Sequence, residues 1–272
     1  MTSRFLLSVL LTLALLWPGG AGAVSVCVLG NEAVRVSSQN KRVLIDGLYR
    51  EGYPEDVILA ADLRQRIETA EGEFDRLDLV LVTHSHKDHF NAAAVIRHFA
   101  NNPQARLIST LEVVQAVAGE IPVARRHSVP PSVEPVAIRA SGIDVLVFNL
   151  NHGASNETQN LGFLFELDGK TIFHLGDTMA SRAELEAAGV ADHPVDVALV
   201  PFWYYLYEER AKGLDGVLKA ETVIPIHLPQ PTADKQYLTR FGGFEGLQAA
   251  IDKIRPNMVQ FEGGAGCLAN LR

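Results

Sequence analysis

The chain has 272 residues, 47% of them hydrophobic and 21% charged, with a formal net charge of −8. That size buries one substantial core and suits a single globular domain. A net acidic chain lacks the basic face that nucleic acid or an anionic membrane surface requires, so the expected partner is a small-molecule substrate.

Taken in order, the chain opens with Arg4 followed by a mostly apolar run, Phe5 to Trp17, and then Pro18 to Ala23, rich in glycine and alanine. A positive start, an apolar middle too short to span a bilayer comfortably and small residues at Ala21 and Ala23 read as a secretory signal peptide cut before Val24. Residues 1–23 are therefore expected to be removed, leaving 24–272 as one exported domain, periplasmic or secreted, with no stable membrane insertion. The alternative is an uncleaved anchor.

From Val24 short β-branched runs alternate with longer amphipathic ones, without repeats or low-complexity segments. Ser25 to Leu29, Ala33 to Ser37 and Arg42 to Ile45 predict three opening strands, punctuated by Gly30-Asn31 and Asn40-Lys41. Pro54-Glu55-Asp56 predicts a helix start, with the helix running to about Ala70. Leu79 to Val82 is a continuous apolar run, as in a strand covered on both faces. His89 to about Asn101 predicts a helix, and a strand over Arg106 to Ile108 and a helix over Leu111 to Val117 follow. Ala118 to Pro135 carries four prolines and reads as a surface connection. Strands are predicted again at Val136 to Ala140, Ile143 to Leu150, Gly162 to Leu167 and Lys170 to His174, the last two joined by an Asp168-Gly169 hairpin turn. Helices are expected at Arg182 to Ala188, Glu208 to Lys219 and Phe244 to Ile254, and strands at Val195 to Val200, Thr222 to Ile226 and Met258 to Phe261. Strands precede helices in both halves, which suggests an α/β fold of two sheets packed face to face with helices outside, a four-layered αβ/βα sandwich.

Only two cysteines occur, Cys27 and Cys267, near the two ends of the domain. If the first and last strands are neighbours, an exported chain can close a disulfide there, contributing on the order of 5 kcal/mol as an upper figure from chain entropy. Two unpaired cysteines buried as small apolar residues are the other reading.

The chemistry is concentrated in His84-Ser85-His86-Lys87-Asp88-His89, three imidazoles and a carboxylate within six residues directly after the buried strand at Leu79. Imidazole nitrogen and carboxylate oxygen suit zinc, iron or manganese, and a rigid strand end holds such donors while the loop presents them. His152, Asp177 and His227 each follow a predicted strand and add three more donors; any one alone could be an ordinary turn residue. Asp46, ending the third strand, is a candidate support for a metal-binding imidazole or a turn residue before Gly47. His174 reads as a satisfied core histidine, and His98, His127 and His193 as surface residues. Pro201-Phe202-Trp203-Tyr204-Tyr205 follows a strand end and marks either a pocket wall or core packing. Asn156 and Asn160 are further polar candidates.

With these residues the chain resembles the metallo-β-lactamase fold superfamily over nearly all of 24–272. The first motif is matched by His84, His86, Asp88 and His89, the second by His152, the third by Asp177 within Gly176-Asp177-Thr178, and the last by His227. The resemblance implies two divalent metal ions, zinc, manganese or iron. His84, His86 and His152 would hold one and Asp88, His89 and His227 the other, with Asp177 bridging and both aspartates orienting a shared hydroxide that attacks the substrate. The short connections and the Gly-Asp-Thr form resemble the branch that includes ascorbate-6-phosphate lactonase. The expected function is an exported binuclear hydrolase of an ester, lactone or phosphodiester. The alternatives are β-lactamase activity, or a non-catalytic metal-binding protein that keeps the fold.

Overall fold

The computed structural model describes residues 23–153, 158–231, 236–256, 258–259, 261 and 265–271. Residues 1–22, which hold most of the expected signal peptide, and Asn156 lie outside the described residues. Two sheets pack face to face. The first carries, in chain order, β1 (Val24–Gly30), β2 (Ala33–Ser37), β3 (Arg42–Ile45), β4 (Leu79–Leu81), β5 (Arg106–Thr110) and β6 (Arg126–Val129). The second carries β7 (Val136–Ala140), β8 (Ile143–Leu150), β9 (Asn160–Leu167), β10 (Lys170–His174), β11 (Val197–Pro201) and β12 (Thr222–Ile226), and the chain returns to the first with β13 (Gly266–Leu271). Strand order is β13-β1-β2-β3-β4-β5-β6 in one sheet and β12-β11-β10-β9-β8-β7 in the other.

The alternating inward positions of both sheets meet in one core that includes Val26, Val36, Ile45, Leu81, Val147, Phe163, Ile172 and Leu199. Two outer cores follow from helical periodicity. Helices α1 (Ala61–Glu68), α2 (Ala92–Asn101) and α3 (Leu111–Ala116) cover the first sheet through Ile67, Val95, Phe99 and Val113. On the other side α4 (Arg182–Ala187), α5 (Glu208–Leu218), α6 (Gln236–Phe241) and α7 (Phe244–Ile254) cover the second, through Leu185, Leu214, Leu247 and Ile251 among others. Helix, sheet, sheet, helix is the four-layered order expected.

Four expectations require correction. The helix expected from Pro54 begins only at Ala61, because the groups before it bond elsewhere. Asp56 turns back on Tyr53 through its carboxylate and its N–H, and the Gln230 N–H reaches Glu55 O at 2.7 Å. The expected connection at 118–135 contains β6, a parallel edge strand on β5 whose side chains other than Val129 stay at least partly exposed, so its apolar signal is weak. Of the strand expected at Met258 to Phe261, Gln260 lies outside the described residues and Met258, Val259 and Phe261 are not in a strand; the last described strand is β13, whose antiparallel pairing with β1 sets Cys27 opposite Cys267. Those two sulfurs form a disulfide and leave no free cysteine. Finally, His98 is not at the surface. It lies on the inner face of α2, fully buried, with Nδ1 2.6 Å from Ile67 O and Nε2 accepting from Asn102 Nδ2 at 3.2 Å. His193 is half-buried, edge-on to Phe148.

Candidate metal centre

The strand ends of both sheets converge on one rim. Asp46 follows β3, the His84 to His89 loop follows β4, His152 follows β8, Asp177 follows β10 and His227 follows β12. The loop into α2 is closed by Asn91, whose side chain accepts from Ala94 N at 3.0 Å, so the His-rich stretch is held between a buried strand and a capped helix. Gly176 is required beside Asp177: its φ is 57°, and a Cβ there would stand 2.3 Å from Asn160 Oδ1.

Two groups of donors form. In the first, His84 Nε2 lies 3.0 Å from His86 Nδ1 and 3.2 Å from His152 Nε2. In the second, His89 Nε2 lies 3.5 Å from Asp88 Oδ2 and 3.3 Å from Asp177 Oδ2, and His227 Nε2 lies 3.5 and 3.4 Å from the same two oxygens. Ligands about 2.0–2.1 Å from a tetrahedral ion stand roughly 3.3–3.4 Å apart, so both groups have the spacing of a coordination shell. The donors fit in another respect: His89 Nε2, Asp88 Oδ1 and Asp177 Oδ1 are buried polar atoms with no hydrogen-bond partner. Each group can hold one metal ion.

Proton positions follow from the partners. A carboxylate only accepts, so His89, whose Nδ1 is 2.9 Å from Asp46 Oδ2, carries its proton on Nδ1 and leaves Nε2 facing the centre. Asp46 is fully buried and also accepts from Thr83 N at 2.8 Å and Thr83 Oγ1 at 2.7 Å. The Thr83 hydroxyl proton is thereby committed, so His84 Nδ1, 2.9 Å away, must donate to Thr83 Oγ1 and its Nε2 is also free. One carboxylate thus orients two imidazoles, one directly and one through Thr83. Asn160 supports Asp177 by accepting from its N–H at 3.0 Å while donating to Leu175 O at 3.2 Å.

The two groups differ electrically. Burial, and then the neighbouring His89, hold His84 well below the ordinary imidazole range, and burial also lowers His152. Burial opposes charge on His89 and His227 as well, but Asp177 above all, with Asp46 at His89 and Asp88 at His227, pushes both well above it. Burial opposes ionisation of Asp88 and Asp177, yet the same two imidazoles hold both carboxyls below the usual range.

A third buried group, Glu32, Asp46 and His174, sits beneath. Gly176 N donates to His174 Nδ1 at 3.1 Å, so the proton is on Nε2, which donates to Glu32 O at 3.2 Å. Both nitrogens are engaged, and His174 is the satisfied core histidine expected. Glu32, whose carboxyl burial pushes well upward, and Thr83 had no sequence signal, and Asn31 had only that of a turn residue.

From the aromatic cluster Trp203 reaches the centre, its ring 5.1 Å from that of His227 and its Nε1 donating to Thr178 O at 3.0 Å. Phe202, Tyr204 and Tyr205 are core. Tyr204 donates to Ala180 O at 2.7 Å, and burial pushes its phenol up to about 12. On the rim Lys87 Nζ stands 4.4 Å over the Tyr53 ring. A groove of about 460 Å³ opens beside His152, lined by Asn149, Asn151, Thr158, Gln159 and Glu184 among others. A larger cavity of about 520 Å³, against Ala137, Leu146 and Phe165, lies on the second sheet and touches no donor.

A two-sheet sandwich with paired His/Asp donor groups on its rim defines a metal-dependent enzyme of the metallo-β-lactamase fold. Residues 41–237 match the family model for the beta-lactamase superfamily domain, more than half of the chain, and the chain belongs to that superfamily. A UPF0173 metal-dependent hydrolase of Pyrococcus abyssi is 28% identical over 243 residues, covering 86% of this chain and 97% of the relative. A second, from Hyperthermus butylicus, is 29% identical over 240 residues with the same coverages, 86% and 97%. Among solved structures, a metallo hydrolase from Ignicoccus hospitalis shares the fold with a TM-score of 0.58 at 19% identity, covering 90% of this chain and 98% of its own.

Proposed function

We propose that this metal-dependent hydrolase works with two divalent ions, and that it hydrolyses an ester, lactone or phosphodiester of a small molecule. His84, His86 and His152 would hold one ion and Asp88, His89 and His227 the other, with Asp177 between them. The observation that carries this reading is the place of Asp177 Oδ2, 3.3 to 3.9 Å from Nε2 of His84, His89, His152 and His227, within reach of both groups.

Two ions held by these residues would supply a nucleophile from water near neutral pH and polarise the electrophile. The protein's own part is orientation. Asp88 and Asp177 are anions that accept from the attacking water, Asp46 and Thr83 fix the imidazoles, and Trp203 shields His227 from solvent and offers an apolar face to substrate. Nitrogen and oxygen donors suit zinc first, with manganese and iron compatible. The disulfide withdraws both cysteines from any ligand role, which argues against a β-lactamase whose second ion takes a thiolate. No donor has been lost, which argues against a non-catalytic relative. Export to the periplasm or beyond is part of the proposal, supported by the leader-like composition of residues 1–23 and by the Cys27–Cys267 disulfide, which persists in oxidising compartments.

The test is elemental analysis of the chain beside His89→Ala and Asp177→Ala, followed by ester, lactone and phosphodiester panels. Two ions per chain, fewer in both variants, with metal-dependent turnover, is the expected result. One ion or none in native protein would sink the two-ion reading, and silence across all three panels with two ions bound would favour the non-catalytic one.

A further inference from the structure

Three non-glycine residues around the centre have left-handed backbones: Asp46 with φ 46°, His227 with φ 58° and Asn31 with φ 46°. Such conformations persist where the surroundings over-determine them, and they gather at functional sites. Asp46 and His227 have roles above. Asn31, in the turn between β1 and β2, belongs to no ligand motif, yet it is only 2% exposed.

We propose that Asn31 is a positioning residue for the Asp88/His89/His227 half of the centre. Its side-chain Nδ2 donates to Asp88 Oδ2 at 3.4 Å, and its carbonyl accepts from the His227 N–H at 3.1 Å. Asp88 Oδ2 is the oxygen 3.5 Å from both His89 Nε2 and His227 Nε2, whereas Oδ1 has no partner. The amide therefore selects which carboxylate oxygen faces the imidazoles. Asp88 belongs to a loop of the first sheet and His227 to a loop of the second, so one residue ties the two contributions together. The turn is anchored inward by His174 Nε2 donating to Glu32 O at 3.2 Å. The position demands an N–H donor on a side chain that tolerates the left-handed region. Asparagine meets both needs, histidine can, and aspartate would set a like charge against Asp88.

This inference rests on the two-ion reading, and the test separates them. Zn²⁺ is titrated into the full metal-free chain, Asn31→Gly and Asn31→His, with stepwise affinities read by chelator competition and thermal unfolding of the metal-free forms measured beside them. Glycine keeps the backbone conformation and deletes the amide. Asn31→Gly should weaken the second ion by about tenfold or more, the usual size for a group that orients a ligand, and leave the first ion and the metal-free melting unchanged. Asn31→His should restore the second affinity. Wild-type affinities for both ions in Asn31→Gly would overturn the role of Asn31 alone, as would equal weakening of both ions with lower metal-free melting, or a histidine variant no better than glycine. A wild-type chain that binds a single ion would overturn the two-ion reading and this role with it.

Discussion

The two halves of the centre use different physics for the same task. The His84/His86/His152 half has neutral His84 and His152, lowered by burial, with His84 aimed through a hydroxyl. The Asp88/His89/Asp177/His227 half is a charged cluster in which, against burial, Asp177 raises both imidazoles, helped by Asp46 at His89 and Asp88 at His227, with His89 aimed directly by Asp46. Metal ligation needs unprotonated nitrogen, so the first half has two nitrogens ready near neutral pH and the second must first release protons. Neighbouring sites on one rim can therefore differ in affinity and in pH response.

The strongest way to break the comparison is Asp177→Ala, the residue within reach of both halves. Turnover should fall by more than about 100-fold, beyond the 10- to 100-fold usual for a group that only orients a ligand, and elemental analysis should show loss from both halves. Loss from one half alone would overturn the proposed place of Asp177 between two ions.

The next largest effect is pH. His89 and His227 sit above the ordinary imidazole range, so near neutrality both hold protons that an entering ion displaces. Affinity of the second half should rise with pH until both have titrated, by up to about 100-fold per pH unit for two protons. Binding that does not displace protons from His84 and His152 makes the first half flatter. Co²⁺ titrations at several pH values read both slopes, and parallel slopes would erase the distinction.

Asp46→Asn and Thr83→Val sharpen it further. Asp46→Asn should weaken the second half about 10- to 100-fold and the first half less, whereas Thr83→Val should act mainly on the first through His84. Chelator competition separates the two. The smallest effect is expected at Trp203→Ala, which removes the ring beside His227 and should raise KM with kcat little changed, as loss of uniform substrate binding does. A fall confined to kcat would instead place Trp203 in the reaction step.

Much of this was legible in the chain because it is local. The six residues from His84 to His89 place four donors on one loop, and strand-end positions together with the family resemblance picked out His152, Asp177 and His227. The double-sheet fold was legible in the order of apolar runs. Long-range partners were not: Thr83 acts only because Asp46 lies across β3 and β4, and Asn31 only because Asp88 and His227 meet at its turn. His98 read as surface because its acceptor, Ile67 O, comes from another helix, and the Asn102 amide that donates to its second nitrogen is itself held by Leu77 O. Tyr204 and Tyr205 could have faced pocket or core, and the packing of residues 202–206 against α5 and α7 turned them inward.

By itself, then, the amino-acid order determined which donors exist, their spacing within the loop after β4, and the layers that place strand ends on a common rim, since periodicity and ligand chemistry are carried by near neighbours. Only the tertiary structure decided which nitrogen of each histidine faces the centre, which oxygen of Asp88 does, and that Cys27 meets Cys267. Those choices depend on proton donors and acceptors that approach from strands far away in the chain.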